Sequence, residues 1–219
     1  MIGQPKGPDQ TPQQIKVTPV EIKEWFVAIG KVKEKLSIKY KINNDAVELI
    51  LVKAQLMKAL EVFGGIDNLQ GKRILDIGCG ATISADEKLG RRFEPWFCRG
   101  LQELGANPVG VDIRDISREE FEHCQLDLLD SGALNIFPDK SFDGINCQSF
   151  FDSPSLDSRI GYNFSERMDA RYKGIVLEDK VGLLKKEIGA QMKRLLKDDG
   201  KILSVQDSTS DNLKTELGL

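Results

Sequence analysis

The chain has 219 residues, 40% of them hydrophobic and 30% charged, enough for one well-buried α/β domain with an extension and short of two full domains. Its net charge of −3 argues against a surface built as a whole to hold phosphate backbones or anionic lipid, so nucleic acid and membrane are not expected partners. No apolar run approaches the ~20 residues that cross a bilayer.

Residues 1–17 are rich in Gln, Gly and Pro and read as a flexible tail without the basic start and apolar run of a signal peptide. An N-terminal helical extension over residues 18–65 follows. Thr18-Pro19-Val20-Glu21 has an N-cap threonine, a proline at the first helical position and a glutamate placed to close a capping box. Ile22, Trp25, Phe26, Ile29, Val32 and Leu36 then form one apolar stripe at helical spacing. A second helix is expected from Asn44–Asp45 through Leu49, Val52, Leu56, Leu60 and Phe63, stopping at Gly64-Gly65. Residues 1–60 hold ten lysines against six acids, a mild asymmetry of the kind solvated helix faces produce.

From residue 71 to 219 the pattern becomes that of an α/β domain. Short apolar runs predict strands at 73–77, 108–112, 124–128, 142–148 and 201–205. Helical stretches are expected at Glu94–Leu104, at Ser117–Glu122 and over 176–196, the last ended by Asp198-Asp199-Gly200. Strands alternating with helices imply a three-layer, doubly wound, mostly parallel sheet of five strands in the order 3-2-1-4-5. Cys79, Cys98, Cys124 and Cys147 lie 19, 26 and 23 residues apart, with no C-x-x-C and a single histidine to help them. They read as reduced packing residues, so no metal site is expected and the setting is expected to be cytoplasmic.

Three segments carry the chemistry. Gly78-Cys79-Gly80 follows the first strand, where glycines let the backbone come close to a ligand. Asp112 ends the second strand, where a carboxylate accepts both hydroxyls of a ribose. Asp127 lies at the end of the third. Taken singly, each aspartate is more often a turn cap. Together they put ligand-facing groups at the carboxyl edge of adjacent strands, where open α/β sheets bind ligands.

Residues 71–150 resemble the class I S-adenosylmethionine-dependent methyltransferases, a Rossmann-like family. The matching residues are Lys72 to Gly80, Gly110-Val111-Asp112, Leu126 to Asp130 and Phe137 to Asp143. The resemblance implies an enzyme that binds S-adenosyl-L-methionine. Asp76, Gly78 and Gly80 would line the methionine end, Asp112 would hold the ribose, Asp127 and Leu128 would meet the adenine, and Cys79 and Ile113 are further expected cofactor-binding residues. Gln148 and Ser149 would close the pocket beyond the fourth strand. Two departures stand out. Asp112 follows Gly80 by 32 residues, with a long connection from Thr82 to Phe93. Only 14 residues follow Val205, too few for the family's further helix and final antiparallel strand pair. The fifth strand would then be an edge, expected to be covered by the C-terminal tail, a loop, a partner or a second copy in a homo-oligomer.

Transfer from a sulfonium needs an aligned acceptor in a dry pocket more than it needs a base. His123, at the start of the third strand, reads as structural. Asp152, Tyr162, Glu166, Asp169 and Tyr172, between Phe150 and Lys173, are the better candidates, and no single catalytic residue stands out. Gln148-Ser149-Phe150-Phe151-Asp152 lacks the Asn-Pro-Pro-Tyr-like run that follows the fourth strand in the family's nucleic-acid amino methyltransferases. A small-molecule acceptor is therefore expected. The alternatives are a non-catalytic module that keeps the cofactor-binding or partner-binding surface and, more distantly, a nicotinamide-dependent oxidoreductase, whose third glycine is replaced here by Ile83.

Overall fold

The computed structural model describes residues 18–81, 94–148, 150–151 and 180–206. The expected flexible tail, the Thr82–Phe93 connection, Ser149, the loop candidates from 152 to 173 and the C-terminal segment after Gln206 lie outside the described residues.

Helix α1 spans Pro19–Tyr40 and begins as its sequence dictates. The Thr18 hydroxyl oxygen accepts from the Glu21 amide, and the Glu21 carboxylate accepts from the Thr18 amide. This reciprocal capping box satisfies amides that have no partner inside the helix. Trp25, Ile29, Val32 and Leu36 are buried. The stripe is narrower than expected, because Ile22 and Phe26 are 37% and 47% exposed. The Lys53 ammonium lies 4.8 Å from the centroid of the Phe26 ring instead. Helix α2, Val47–Phe63, starts two to three residues later than expected. The Asn43 side chain takes the Asp45 amide, a local turn that competes with helix at that point. Gly64 ends α2 in the left-handed conformation, and a short helix α3, Ile66–Leu69, follows.

The sheet has five strands among the described residues: β1 (Arg73–Ile77), β2 (Asn107–Asp112), β3 (Glu122–Gln125), β4 (Phe142–Gln148) and β5 (Leu196–Gln206). All four pairings are parallel and the order is β3-β2-β1-β4-β5, the expected one. The chain moves outward from β1 to β2 and β3, then returns across β1 to β4 and β5. The strand order therefore reverses beside β1, the position at which open α/β sheets bind ligands at their carboxyl edge.

Both faces of the sheet are covered, so its central strands are apolar on both sides. Ile74 and Leu203 join α1, α2 and α4 (Trp96–Glu103) in one core. Leu75, Ile77, Val111, Phe142 and Ile145 join α5 (Lys180–Leu195), together with Leu134 from the 3-10 turn Ala133–Ile136, in the other. Burying each large aliphatic side chain contributes about 1.5–3 kcal/mol.

Three expectations need correction. The helix expected at Ser117–Glu122 is not formed: a turn at 117–118 leads into the third strand at Glu122. The Asp115 carboxylate takes the Ser117 amide and closes the turn locally, and the Glu119 amide returns to the Ile116 carbonyl. The third strand covers Glu122–Gln125 rather than 124–128, because its one neighbour among the described residues, β2, ends at Asp112, which pairs with Gln125. Asp127 consequently lies beyond the strand. The fifth strand begins at Leu196, and Asp198-Asp199-Gly200 ends no helix. Partners jump from Phe142–Leu196 to Gly144–Lys201, an irregularity beside which the Lys197 ammonium donates to Asp143 at 2.9 Å. The four cysteines are free thiols, and no helix of the described residues is long and apolar enough to cross a membrane.

Candidate functional site at the carboxyl edge of the sheet

The segment after β1 folds back over β2. The Gly78 and Cys79 amides both donate to the Val111 carbonyl, at 2.8 and 3.1 Å. Gly78 and Gly80 have φ of 71° and 92°, a region a side chain would strain. The Gly80 amide donates to Asp112 Oδ2 at 3.0 Å, and the Arg114 amide donates to Oδ1 at 3.0 Å. Asp112 thus joins two segments 32 residues apart in sequence into one cradle. Two amide bonds use about half of a carboxylate's acceptor capacity, leaving lone pairs for two hydroxyls.

Gly110 makes the cradle close-fitting. A Cβ there would stand 2.8 Å from Cys79 Sγ and 2.8 Å from Phe121 Cε2. Cys79, Ala81, Cys98, Ile116 and Phe121 form a small apolar cluster that holds the loop down on β2 and α4. Gly110→Ala is expected to cost about 1–3 kcal/mol through overpacking, read by urea unfolding. A loss under about 0.5 kcal/mol would mean that Cys79 and Phe121 yield freely.

Asp76 is buried beneath this loop. Its Oδ1 accepts from Asn146 Nδ2 at 2.7 Å, and Cys98 Sγ donates to Oδ2 at 3.5 Å. Burial pushes its pKa up to about 7, against the two hydrogen bonds, which favour the anion; the charge of nearby Asp112 adds to the rise. Asp76 and Asn146 are register partners on β1 and β4, so the pair belongs to the sheet itself. The carboxyl is engaged inside the fold rather than standing open at the edge.

The other candidates are spread along the same edge. Ile113 follows Asp112, is partly exposed, and its carbonyl accepts from Gln125 Nε2. The Leu126 amide donates to the Asp112 carbonyl, which sets Asp127 and Leu128 beside the end of β2. Asp127 caps its own turn by accepting from the Leu129 amide at 3.0 Å, while Leu128 is buried. Gln148, at the end of β4, accepts from Gln55 Nε2 of α2 at 2.9 Å, so the helical extension reaches the site. Gly80 bonds to the Asp112 carboxylate, while Gly78 and Cys79 bond to the adjacent Val111 carbonyl; Asp127 and Leu128 flank them on one side and Gln148 stands on the other. His123 faces elsewhere, its ring nitrogen 2.8 Å from the Phe121 carbonyl.

Two features escaped the sequence reading. Phe150 packs on the glycine loop, where a Cβ on Gly78 would be 3.0 Å from its Cδ2. Arg99, in the first turn of α4, is buried with Glu94 and Glu119. Its Nε and Nη2 donate to Glu119 at 3.0 and 2.6 Å, and its Nη1 donates to Glu94. The guanidinium carbon lies 3.9 Å from the Tyr40 ring centroid and 4.4 Å from that of Trp96. Burial opposes the charge of Arg99, but the bonds to Glu119 and Glu94 outweigh it and hold its pKa above the ordinary value. A charged triad at the root of a predicted amphipathic helix has no local sequence signal.

No family model matches the chain, and no curated protein sequence matches it. Among solved structures, the selenomethionine-substituted CurJ carbon methyltransferase is a distant neighbour with a TM-score of 0.33 and 14% identity. The match covers 95% of this chain, which spans about 60% of that chain's length. The chain has a doubly wound α/β fold of Rossmann-like strand order, with a glycine cradle clamped by an aspartate at the point where that order reverses.

Proposed function

We propose that this chain binds S-adenosyl-L-methionine at the carboxyl edge of its sheet and transfers the methyl group to a small-molecule acceptor. The observation that carries the reading is the Asp112 clamp. A strand-end carboxylate, positioned by the Gly80 and Arg114 amides, stands beside two positive-φ glycines at the reversal of strand order. That donor and acceptor set suits a ribose with an extended chain laid over the loop.

In this reading Asp112 and Ile113 hold the ribose, and Asp127 with Leu128 meets the adenine. Gly78, Cys79 and Gly80 admit the methionine portion, with Asp76 beneath them and Gln148 at the far wall. The cofactor supplies an electrophilic methyl group, so the protein's part is to align the acceptor and exclude water. The Gln55–Gln148 bond suggests that α2 forms part of the wall on the acceptor side.

S-adenosylhomocysteine, which lacks the transferable methyl, is the direct test. The full chain is expected to bind it with a micromolar-range constant, roughly 7–8 kcal/mol, and to melt higher in its presence. Asp112→Ala should weaken that binding by about 1.5–3 kcal/mol while the variant stays folded. No heat and no melting shift at millimolar ligand would refute the cofactor assignment. Unchanged affinity in Asp112→Ala would refute the ribose role.

A further inference from the structure

We propose that Phe150 is a specificity residue whose ring face holds the positive charge of the ligand's sulfonium, so that the site prefers the charged methyl donor to its neutral demethylated product. The inference rests on the cofactor reading above.

Three observations support it. The first is position. Along the carboxyl edge the order is Asp127 after β3, Asp112 at β2, Gly78 after β1 and Phe150 after β4. A nucleoside whose ribose sits on Asp112 and whose base lies toward Asp127 must direct its other ribose substituent toward Gly78 and Phe150. In the proposed ligand that substituent is the sulfonium.

The second is contact. An ideal Cβ on Gly78 would lie 3.0 Å from Phe150 Cδ2 and 3.1 Å from Phe150 Cβ, so the aromatic side chain rests directly on the loop backbone. A side chain at 78 would be strained by the positive φ and would push the Phe150 ring back by a few tenths of an ångström.

The third is exposure and anchoring. Phe151 is fully buried in the core shared with α5, and the Phe150 ring meets it edge-on, with centroids 5.0 Å apart and planes at 66°. Phe150 itself is only partly buried. The neighbour therefore fixes the ring while part of the Phe150 side chain remains accessible.

An aromatic face attracts a cation through its quadrupole, and the attraction strengthens when water is excluded. When the methyl group leaves for an acceptor lone pair, the electrons of the broken carbon–sulfur bond stay on sulfur, which becomes a neutral thioether. The attraction is then lost, and product release is favoured.

Calorimetry on the full chain with S-adenosylmethionine and with S-adenosylhomocysteine tests this. Phe150→Leu keeps an apolar side chain on Gly78 but removes the π face. It should weaken binding of the sulfonium about tenfold and leave the thioether within about twofold. Replacing Phe150 with a trifluorinated phenylalanine, which keeps the ring's shape while depleting its face of negative potential, should move the ratio of the two affinities the same way. Equal loss of both ligands in both variants would overturn the proposal, leaving Phe150 a packing residue. An unchanged ratio would overturn it too. If the parent chain binds neither ligand, the cofactor reading falls and this inference falls with it.

Discussion

Replacing Arg99 with methionine is expected to lower the folding free energy by about 3–5 kcal/mol, the cost of leaving buried charge without its partner. Arg99, Glu94 and Glu119 have side chains no more than 3% exposed, so water cannot replace the guanidinium. The substitution also removes the cation from beside Tyr40 and Trp96, where α1 and α4 meet. Against the 5–15 kcal/mol typical of a domain, such a loss is a large fraction, and it should lower the melting temperature by roughly 10 °C. Adding Glu94→Gln and Glu119→Gln to Arg99→Met should recover part of the loss, because the buried carboxylates are what the single variant strands. Urea unfolding of the single and triple variants checks both statements. A single variant within about 1 kcal/mol of the parent would show that the two glutamates find solvent.

Asp76 should make the protein lose stability as pH rises. An unfolded aspartate titrates near 3.9. In the fold, burial raises Asp76 to about 7. Between these values the native state holds a proton that the unfolded chain has released, so the contribution falls from pH 4 upward and levels off above pH 7. The full difference is roughly 4 kcal/mol as an upper bound. Asp76→Asn keeps an acceptor for Asn146 Nδ2 and carries no charge. The variant and parent should therefore be similar in stability near pH 4, and the variant should be more stable by a few kcal/mol near pH 8. Denaturant midpoints across that range give the measurement. A constant difference between the two proteins would show that Asp76 ionises as it does in the unfolded chain.

Thr18 and Glu21 cap α1 through bonds spanning three residues, and Gly64 closes α2 through its own backbone conformation; both were legible because cause and effect are adjacent. The five strands and their order were legible for a related reason. Apolar runs separated by turn residues have few ways to bury both faces of a parallel sheet. Gly78, Gly80 and Asp112 could be placed at strand ends from pattern alone.

Their connection was not visible. The bond from the Gly80 amide to Asp112 spans 32 positions and exists because β1 and β2 lie side by side. The third strand shows the same dependence. Residues 124–128 are apolar enough to extend further, yet pairing stops at Gln125 because the chain bends out of β2 after Asp112, whose carboxylate takes the Arg114 amide. At Ser117–Glu122 a side chain-to-backbone bond from Asp115 overrode helical periodicity, while Arg99 drew Glu119 inward.

The local pattern of capping groups, glycines and apolar periodicity thus determined most of the helices and strands, since those choices depend on neighbours a few residues away. Only the tertiary structure decided that Asp76 is buried against Asn146 and Cys98, that Glu94, Arg99 and Glu119 form one buried charge cluster beside the Tyr40 ring, and that Phe150 closes on Gly78. Each depends on groups far apart in the chain meeting where water is excluded, and the same exclusion sets the strength of their electrostatic interactions.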